Sequence, residues 1–102
     1  MEREVVLKMI PTGKEHEYIE VSVYYKKGGV NMFTYREEPR GFWLSVSKVQ
    51  KEESWTKRFL FEGRKMFLLE VKRFSQKAMD KAVEIAEGKY REMVERVYGI
   101  EC

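Results

Sequence analysis

The feature that most constrains this chain is a long apolar stripe in its C-terminal third, between Arg64 and Tyr98. Apolar residues recur there at intervals of four, three, four, four and three positions, which is the period of one face of an α-helix. Such a helix needs a surface to cover, and the upstream segments are typical of short strands. The sequence therefore predicts an α+β fold in which a C-terminal helix packs on one face of a sheet. The stripe consists of Phe67, Val71, Phe74, Ala78, Ala82 and Ile85.

Five upstream segments have the composition or the alternation of β-strands. The clearest lies between Tyr18 and Tyr25, where apolar and polar side chains alternate. The two glycines at positions 28 and 29 predict a tight hairpin turn, and Pro39 predicts the next turn. We therefore predict a four- or five-stranded antiparallel meander. Its predicted strands are residues 5–10, 18–25, 30–35, 42–49 and 55–61.

The predicted helix is too long to be one straight element. Residues 64–98 would span roughly 50 Å as a helix, whereas strands of this length cover only about 20–27 Å. Glycine is a weak helix former, so we expect a break at Gly88, with one helix ending near Glu87 and a shorter one following. A continuous helix would instead need a partner chain to cover its far end. The stripe runs through Ser75, which places that residue in the helix interior, and Gly99 is the expected stop.

Composition limits the class of protein. The chain has 102 residues, 43% hydrophobic and 36% charged, which fits a single globular domain over residues 1–102. The net charge of +3 permits contact with a polyanion without requiring it. The sequence contains no apolar run of membrane-spanning length and no signal-peptide pattern at its start. With Cys102 as the lone cysteine, we expect a cytoplasmic protein that has no disulfide and makes no membrane contact.

The sequence does not contain the residue combinations that catalysis requires. The single histidine, His16, lies in a polar run of a predicted turn and is interpreted as a solvated loop residue. Cys102 has no basic neighbour that would lower its pKa, and the adjacent glutamate pairs in turns diverge. The glycines match no phosphate-binding or dinucleotide-binding motif. We therefore expect a protein that is not an enzyme and that has no cofactor or metal.

The sheet face opposite the helix is the predicted binding surface. It would carry aromatic rings, and basic residues lie in the turns around it, an arrangement that can stack unpaired bases and hold phosphates. The same face could instead contact a second protomer, and Glu20 in its middle opposes nucleic-acid binding. The candidate binding residues are Tyr18, Tyr24, Lys26, Lys27, Arg36, Arg40, Trp43 and Arg58.

Three segments carry a resemblance to known proteins: residues 28–33 (GGVNMF), 40–46 (RGFWLSV) and 70–75 (EVKRFS). With these segments, the chain from about Val5 to Ala82 resembles small uncharacterised proteins of phages, plasmids and conjugative elements of gut bacteria. The resemblance implies a mobile-element setting, in which small proteins often inhibit host defence, as anti-CRISPR proteins do, or regulate nucleic acid. The order of strands and helix also resembles that of Whirly-like single-strand binders.

These observations lead to two main hypotheses. The first is a binding protein that acts on a host protein or nucleoprotein, as an anti-CRISPR-type inhibitor would, through residues 28–41 together with Tyr24 and Trp43. The second is a single-stranded nucleic-acid-binding protein that uses the aromatic and basic sheet face. A weaker third hypothesis is a small-molecule sponge or an enzyme with a pocket between subunits. Under each hypothesis we expect a homodimer, because two-fold symmetry is the commonest for small proteins.

Overall fold

The computed structural model of the chain describes residues 3–58 and 63–100. Within these residues the strands come first and the helices last, as the sequence predicts. In chain order, the elements are β1 (Glu4–Pro11), β2 (Glu17–Lys26), β3 (Gly29–Val30), β4 (Glu37–Glu38), β5 (Gly41–Lys51), β6 (Thr56–Arg58), β7 (Arg64–Glu70), α1 (Gln76–Glu87) and α2 (Tyr90–Tyr98).

The main sheet is an antiparallel meander with β2 and β5 at its centre. β1 pairs with one side of β2, and β5 pairs with the other side. The remaining side of β5 is shared: β7 pairs with residues 41–46 of β5, and β6 pairs with residues 49–51. β6 and β7 therefore lie end to end along one edge. The predicted antiparallel meander followed by C-terminal helix is confirmed.

The core lies between one face of this sheet and the two helices. Alternate residues of β2 and β5 point towards the helices and are fully buried, as the alternation predicts. Tyr25 and Phe42 pack against each other, with ring centroids 5.5 Å apart, and both rings contact Phe74 from the segment before α1. The buried residues that form this core include Ile19, Val21, Val23, Phe42, Leu44, Val46, Met79, Ala82, Ala86 and Val94.

The predicted helix is wrong at its N-terminal end, because Arg64–Glu70 forms strand β7. The helical spacing of Phe67 and its successors is real, but β5 has an edge of unpaired backbone groups that a neighbouring strand can satisfy. The contact is close at Gly41, where a Cβ atom would overlap the carbonyl oxygen of Leu69. Strand pairing therefore takes precedence over the helical period in this segment.

The helices begin and end at residues with clear physical roles. The hydroxyl of Ser75 accepts a hydrogen bond from the N–H of Ala78 at 3.1 Å and so caps α1, which contradicts its predicted place inside a helix. The predicted break is confirmed, because α1 ends at Glu87 and Gly88 follows as its cap. Gly99, with φ 66°, ends α2 in the left-handed conformation, as expected.

Two predicted strands differ from the structure. The predicted strand over residues 30–35 is wrong, because only Gly29–Val30 is extended and it pairs with Glu37–Glu38 in a separate two-stranded sheet. Strand β2 does not turn back at the glycine pair, since its neighbours are β1 and β5. Of the predicted strand over residues 55–61, Thr56–Arg58 is observed as β6, and residues 59–62 lie outside the described residues.

Candidate functional site

A short arm, residues 28–38, leaves the main sheet between β2 and β5. Its two sides are β3 and β4, and residues 31–36 form its tip. The sides approach closely at Gly28, where a Cβ atom would lie 2.9 Å from the backbone nitrogen of Arg40. Gly29 has φ +152°, a backbone conformation that other residues rarely adopt. The glycine pair that was predicted to form a hairpin turn therefore forms the root of the arm.

The tip of the arm is held by Asn31. Its side-chain oxygen accepts hydrogen bonds from the N–H groups of Phe33 and Thr34, at 2.9 and 3.2 Å. Two backbone bonds close the loop: the N–H of Asn31 donates to the carbonyl of Arg36 at 2.8 Å, and the N–H of Tyr35 donates to that of Asn31 at 2.7 Å. Tyr35 takes a left-handed φ of 56°, which is costly for a side chain of its size. The tip thus has a defined shape that is fixed by polar contacts and not by apolar packing.

The arm displays four large apolar side chains, one in β3 and three in the tip, beside the exposed polar residues Thr34 and Arg36. Phe33 is 94% exposed, Tyr35 81%, Met32 76% and Val30 62%. In the described part of the chain, two other large apolar residues, Val6 and Trp55, are exposed, each at 48%. Isolated exposed apolar residues are normal, whereas these four lie within six consecutive positions on one projection.

A carboxylate connects the arm to the main sheet. Glu38 Oε1 accepts a hydrogen bond from Asn31 Nδ2 at 2.7 Å and one from Lys26 Nζ at 3.1 Å. The hydrogen bond from Asn31, followed by that from Lys26, lowers the pKa of the Glu38 carboxyl below its usual value. Glu38 therefore braces the tip against the end of β2 while it is ionised.

The sheet face opposite the helices carries the other aromatic candidates. Tyr24 and Trp43 are cross-strand neighbours, and the Trp43 ring packs edge-on against Phe67, with centroids 5.1 Å apart. The indole N–H of Trp43 is buried and has no hydrogen-bond partner among the described residues. Burial, followed by the charges of Glu38 and Glu4, raises the pKa of Tyr24 to about 12. Both rings are therefore partly enclosed and do not stand free for stacking.

A polar hollow of about 190 Å³ lies beside these rings. Ser22 faces Ser45 and Glu20 faces Ser47 across β2 and β5, and Glu20 is only 6% exposed. Glu4 also lines the hollow. Lys65 lines it as well, with its ammonium 6.0 Å from the centroid of the Tyr24 ring. Hydroxyl, carboxylate and ammonium groups thus share the face that was predicted to bind phosphates.

The structure brings most of the predicted binding residues to one end of the molecule. Lys26, Lys27, Arg36 and Arg40 lie in or beside the arm, and the Arg40 guanidinium donates to the carbonyl of Lys72 at 2.8 Å. Tyr24 and Trp43 lie at the same end of the sheet, in the register that pairs Lys26 with Gly41.

Two predicted residues are not part of this group. Tyr18 is six residues from Tyr24 along β2, which is about 20 Å for an extended chain. The backbone of Arg58 pairs with Val49 in β6, and its side chain lies outside the described part of the structure. His16 lies in the turn between β1 and β2, with Nε2 3.3 Å from a carboxylate oxygen of Glu15.

The four exposed apolar residues of the arm lie within the predicted contact region 28–41, but none was singled out, because residues 30–35 were predicted to form a strand. A usable signal existed: the run is bounded by two glycines on one side and by Glu37, Glu38 and Pro39 on the other, which leaves room for a short excursion. Asparagine side chains often accept hydrogen bonds from backbone groups a few positions later, and Asn31 lies directly before Met32 and Phe33.

The fold defines the architectural class of this protein: an antiparallel α+β protein with one helix-covered sheet face and an arm that exposes apolar side chains. Neither a protein-family model nor a curated protein nor a solved structure matches the chain. Among the described residues, no group of three His, Cys, Asp or Glu side chains is placed to hold a metal ion. The helices found there, α1 and α2, lack the length and apolar content that crossing a bilayer requires.

Proposed function

We propose that this protein is a non-enzymatic binding protein that contacts a partner protein through the tip of the arm. The observation that supports this proposal is the exposure of Val30, Met32, Phe33 and Tyr35 on one ordered loop. Full burial of a large apolar side chain is worth about 1.5–3 kcal/mol. These four side chains are exposed in the isolated chain, so burying them in a matching apolar pocket of a partner would contribute several kcal/mol to the free energy of binding.

The shape of the tip also favours binding. Ordering a flexible segment costs about 1–2 kcal/mol per residue in backbone entropy. The hydrogen bonds of Asn31 and the brace from Glu38 hold the loop before any partner arrives, so this cost is met during folding. Aromatic residues in a defined position are also the residues that dominate interface energies.

The residues around the root indicate the border of the partner surface. Lys27, Arg36 and Arg40 are exposed there, and cationic side chains at the rim of an interface favour an acidic counterpart. We therefore propose a partner with an apolar pocket and an acidic border. The resemblance to mobile-element proteins adds a class to this description: a host protein or nucleoprotein, inhibited as an anti-CRISPR-type protein would inhibit it.

Single-stranded nucleic-acid binding stays the alternative hypothesis. The sheet face supports it less than the arm supports protein binding, because the Trp43 ring packs against Phe67 and Glu20 is buried in the middle of that face. This hypothesis predicts oligonucleotide binding that weakens steeply with salt. Fluorescence anisotropy with a mixed-sequence oligonucleotide tests it, and the absence of binding at about 50 mM salt would reject it.

Site-specific photo-crosslinking tests the arm proposal. A benzophenone amino acid replaces Phe33, and the matched control replaces Val6, which is exposed on β1. In host cells we expect a defined covalent product from position 33 alone. Unlabelled protein should suppress that product, whereas the double variant Met32→Ser/Phe33→Ser should not. Identical products from both positions, or equal suppression by both competitors, would contradict the proposal, and a product made only of two copies of this chain would assign the arm to dimerisation.

A further inference from the structure

A second surface lies away from the arm, in a groove of about 310 Å³ between β7 and α2. Its floor consists of Met66, Met93 and Val97, which are partly buried. Met66 and Met93 also pack against the edge of the core, so the floor continues the apolar interior to the surface. Methionine side chains are flexible and polarizable, and they are common at surfaces that accept varied apolar side chains.

The rim of the groove is cationic. Arg64 lines it from β7, Lys89 from the residue before α2, and Arg96 from α2. Lys65 also borders the groove, but its ammonium lies 6.0 Å from the centroid of the Tyr24 ring, on the opposite face of the sheet. One carboxylate, that of Glu92, accepts a hydrogen bond from Arg96 at 2.8 Å. Three cations against one carboxylate leave an excess of two positive charges on the helix side of the groove. The groove thus combines an apolar floor with a positive border.

We propose that this groove binds an acidic, amphipathic segment of a partner protein. Apolar side chains of the segment would lie on the methionine floor, and its carboxylates would face the rim. The lining contains no aromatic ring on which a base could stack, so a peptide fits the groove better than single-stranded nucleic acid does. The proposal does not depend on binding by the arm.

The two surfaces are far enough apart to be tested separately. Gly41, near the root of the arm, pairs with Glu70, whereas Arg64 at the groove pairs with Val46. Five residues along β5 separate these positions, which is about 17 Å. Met32 on the arm and Met79 in the core can therefore serve as internal references for Met66 and Met93.

The test is a titration with a fluorescein-labelled 12-residue peptide that carries leucines at helical spacing and glutamates elsewhere. Anisotropy gives the affinity, and methyl NMR of protein with ¹³C-methyl-methionine gives the location. We expect saturable binding that shifts the Met66 and Met93 signals and leaves Met32 unchanged. A peptide with every glutamate replaced by glutamine should bind at least about tenfold more weakly, because its attraction to Arg64, Lys89 and Arg96 is lost.

A pair of charge reversals provides the matched control. Lys89→Glu/Arg96→Glu should weaken peptide binding about tenfold or more, whereas Lys77→Glu/Lys81→Glu, which changes the net charge equally on exposed positions of α1, should have less than a twofold effect. Equal effects of the two double variants would overturn the proposal. So would equal affinity for the glutamine peptide, no saturable binding, or shifts confined to Met32. Displacement of the labelled peptide by a thymidine oligonucleotide at lower concentration than by unlabelled peptide would assign the groove to nucleic acid instead.

Discussion

The substitution Asn31→Ala should loosen the arm without affecting the core. It removes the acceptor for the N–H groups of Phe33 and Thr34, together with the donor to Glu38. Loss of a comparable capping side chain costs about 0.5–2 kcal/mol, and the exposed position of the arm places the effect in this range. The free energy of opening the loop should therefore fall by about 0.5–2 kcal/mol. This corresponds to a decrease of about 2–30-fold in amide protection, since about 1.4 kcal/mol is a factor of ten.

Amide hydrogen exchange is the appropriate assay, because it reports local opening. The informative amide is that of Tyr35, whose bond to the backbone carbonyl of Asn31 is not itself removed by the substitution. Amides of β2 and β5 report the core and should change less than twofold. Asn31→Asp keeps the acceptor oxygen but places a second carboxylate beside ionised Glu38, so the matched control is Asn31→Asp/Glu38→Gln, which keeps the acceptor and avoids that repulsion. An unchanged Tyr35 amide in Asn31→Ala would refute the argument that Asn31 holds the tip.

Three further perturbations test other parts of the structure. The pKa of Glu38 is lowered, so the stabilisation of the arm by Glu38 is fully present above pH 4.5 and is lost as the pH falls through the folded-state pKa. Tyr35 amide protection should therefore decrease in acid, and Glu38→Gln should abolish this dependence. The pKa of Tyr24 is raised from 10.0 to about 12, so stability should fall as the pH rises through this window. The fall is about 1 kcal/mol after discounting for partial exposure, and it should be absent in Tyr24→Phe when urea midpoints are compared. Gly41→Ala should lower stability by about 1–3 kcal/mol in thermal unfolding, because its Cβ would overlap the backbone of β7, whereas Gly88→Ala, with only ordinary contacts, should have little effect.

The sequence predicts the central part of the fold well because local pattern and burial agree there. Apolar and polar side chains alternate from Tyr18 to Tyr25, as they do in a strand with one buried face. The helical segment is interrupted at Gly88, because glycine is a weak helix former. The failure at Arg64–Glu70 has a physical cause. A segment with apolar residues at helical spacing can still become a strand when a neighbouring strand offers unpaired backbone groups. Whether such backbone groups are available depends on the position of β5 in the sheet, and local periodicity does not reveal that position.

The candidate site shows a related limit. Basic and aromatic residues between Lys26 and Trp43 point to the end of the molecule that carries the arm, but the apolar residues on which the binding proposal rests were assigned to a strand. An apolar run is normally buried, whereas this run lies on the arm, in a turn that the side chain of Asn31 holds. Whether such a run lies inside or outside depends on a few hydrogen bonds that composition does not reveal.

The two proposed surfaces together suggest how one partner could be held. The root of the arm and the groove are about 17 Å apart along β5, a distance that roughly five extended residues can span. If one partner occupies both surfaces, the second contact forms within the complex at an effective concentration that can reach the millimolar range. Loss of either contact then weakens the same complex, and the effects of Phe33→Ser and Lys89→Glu/Arg96→Glu on its dissociation constant should multiply. If the surfaces serve different partners, each substitution should affect only its own complex, so comparing the two variants on a single purified partner separates these arrangements.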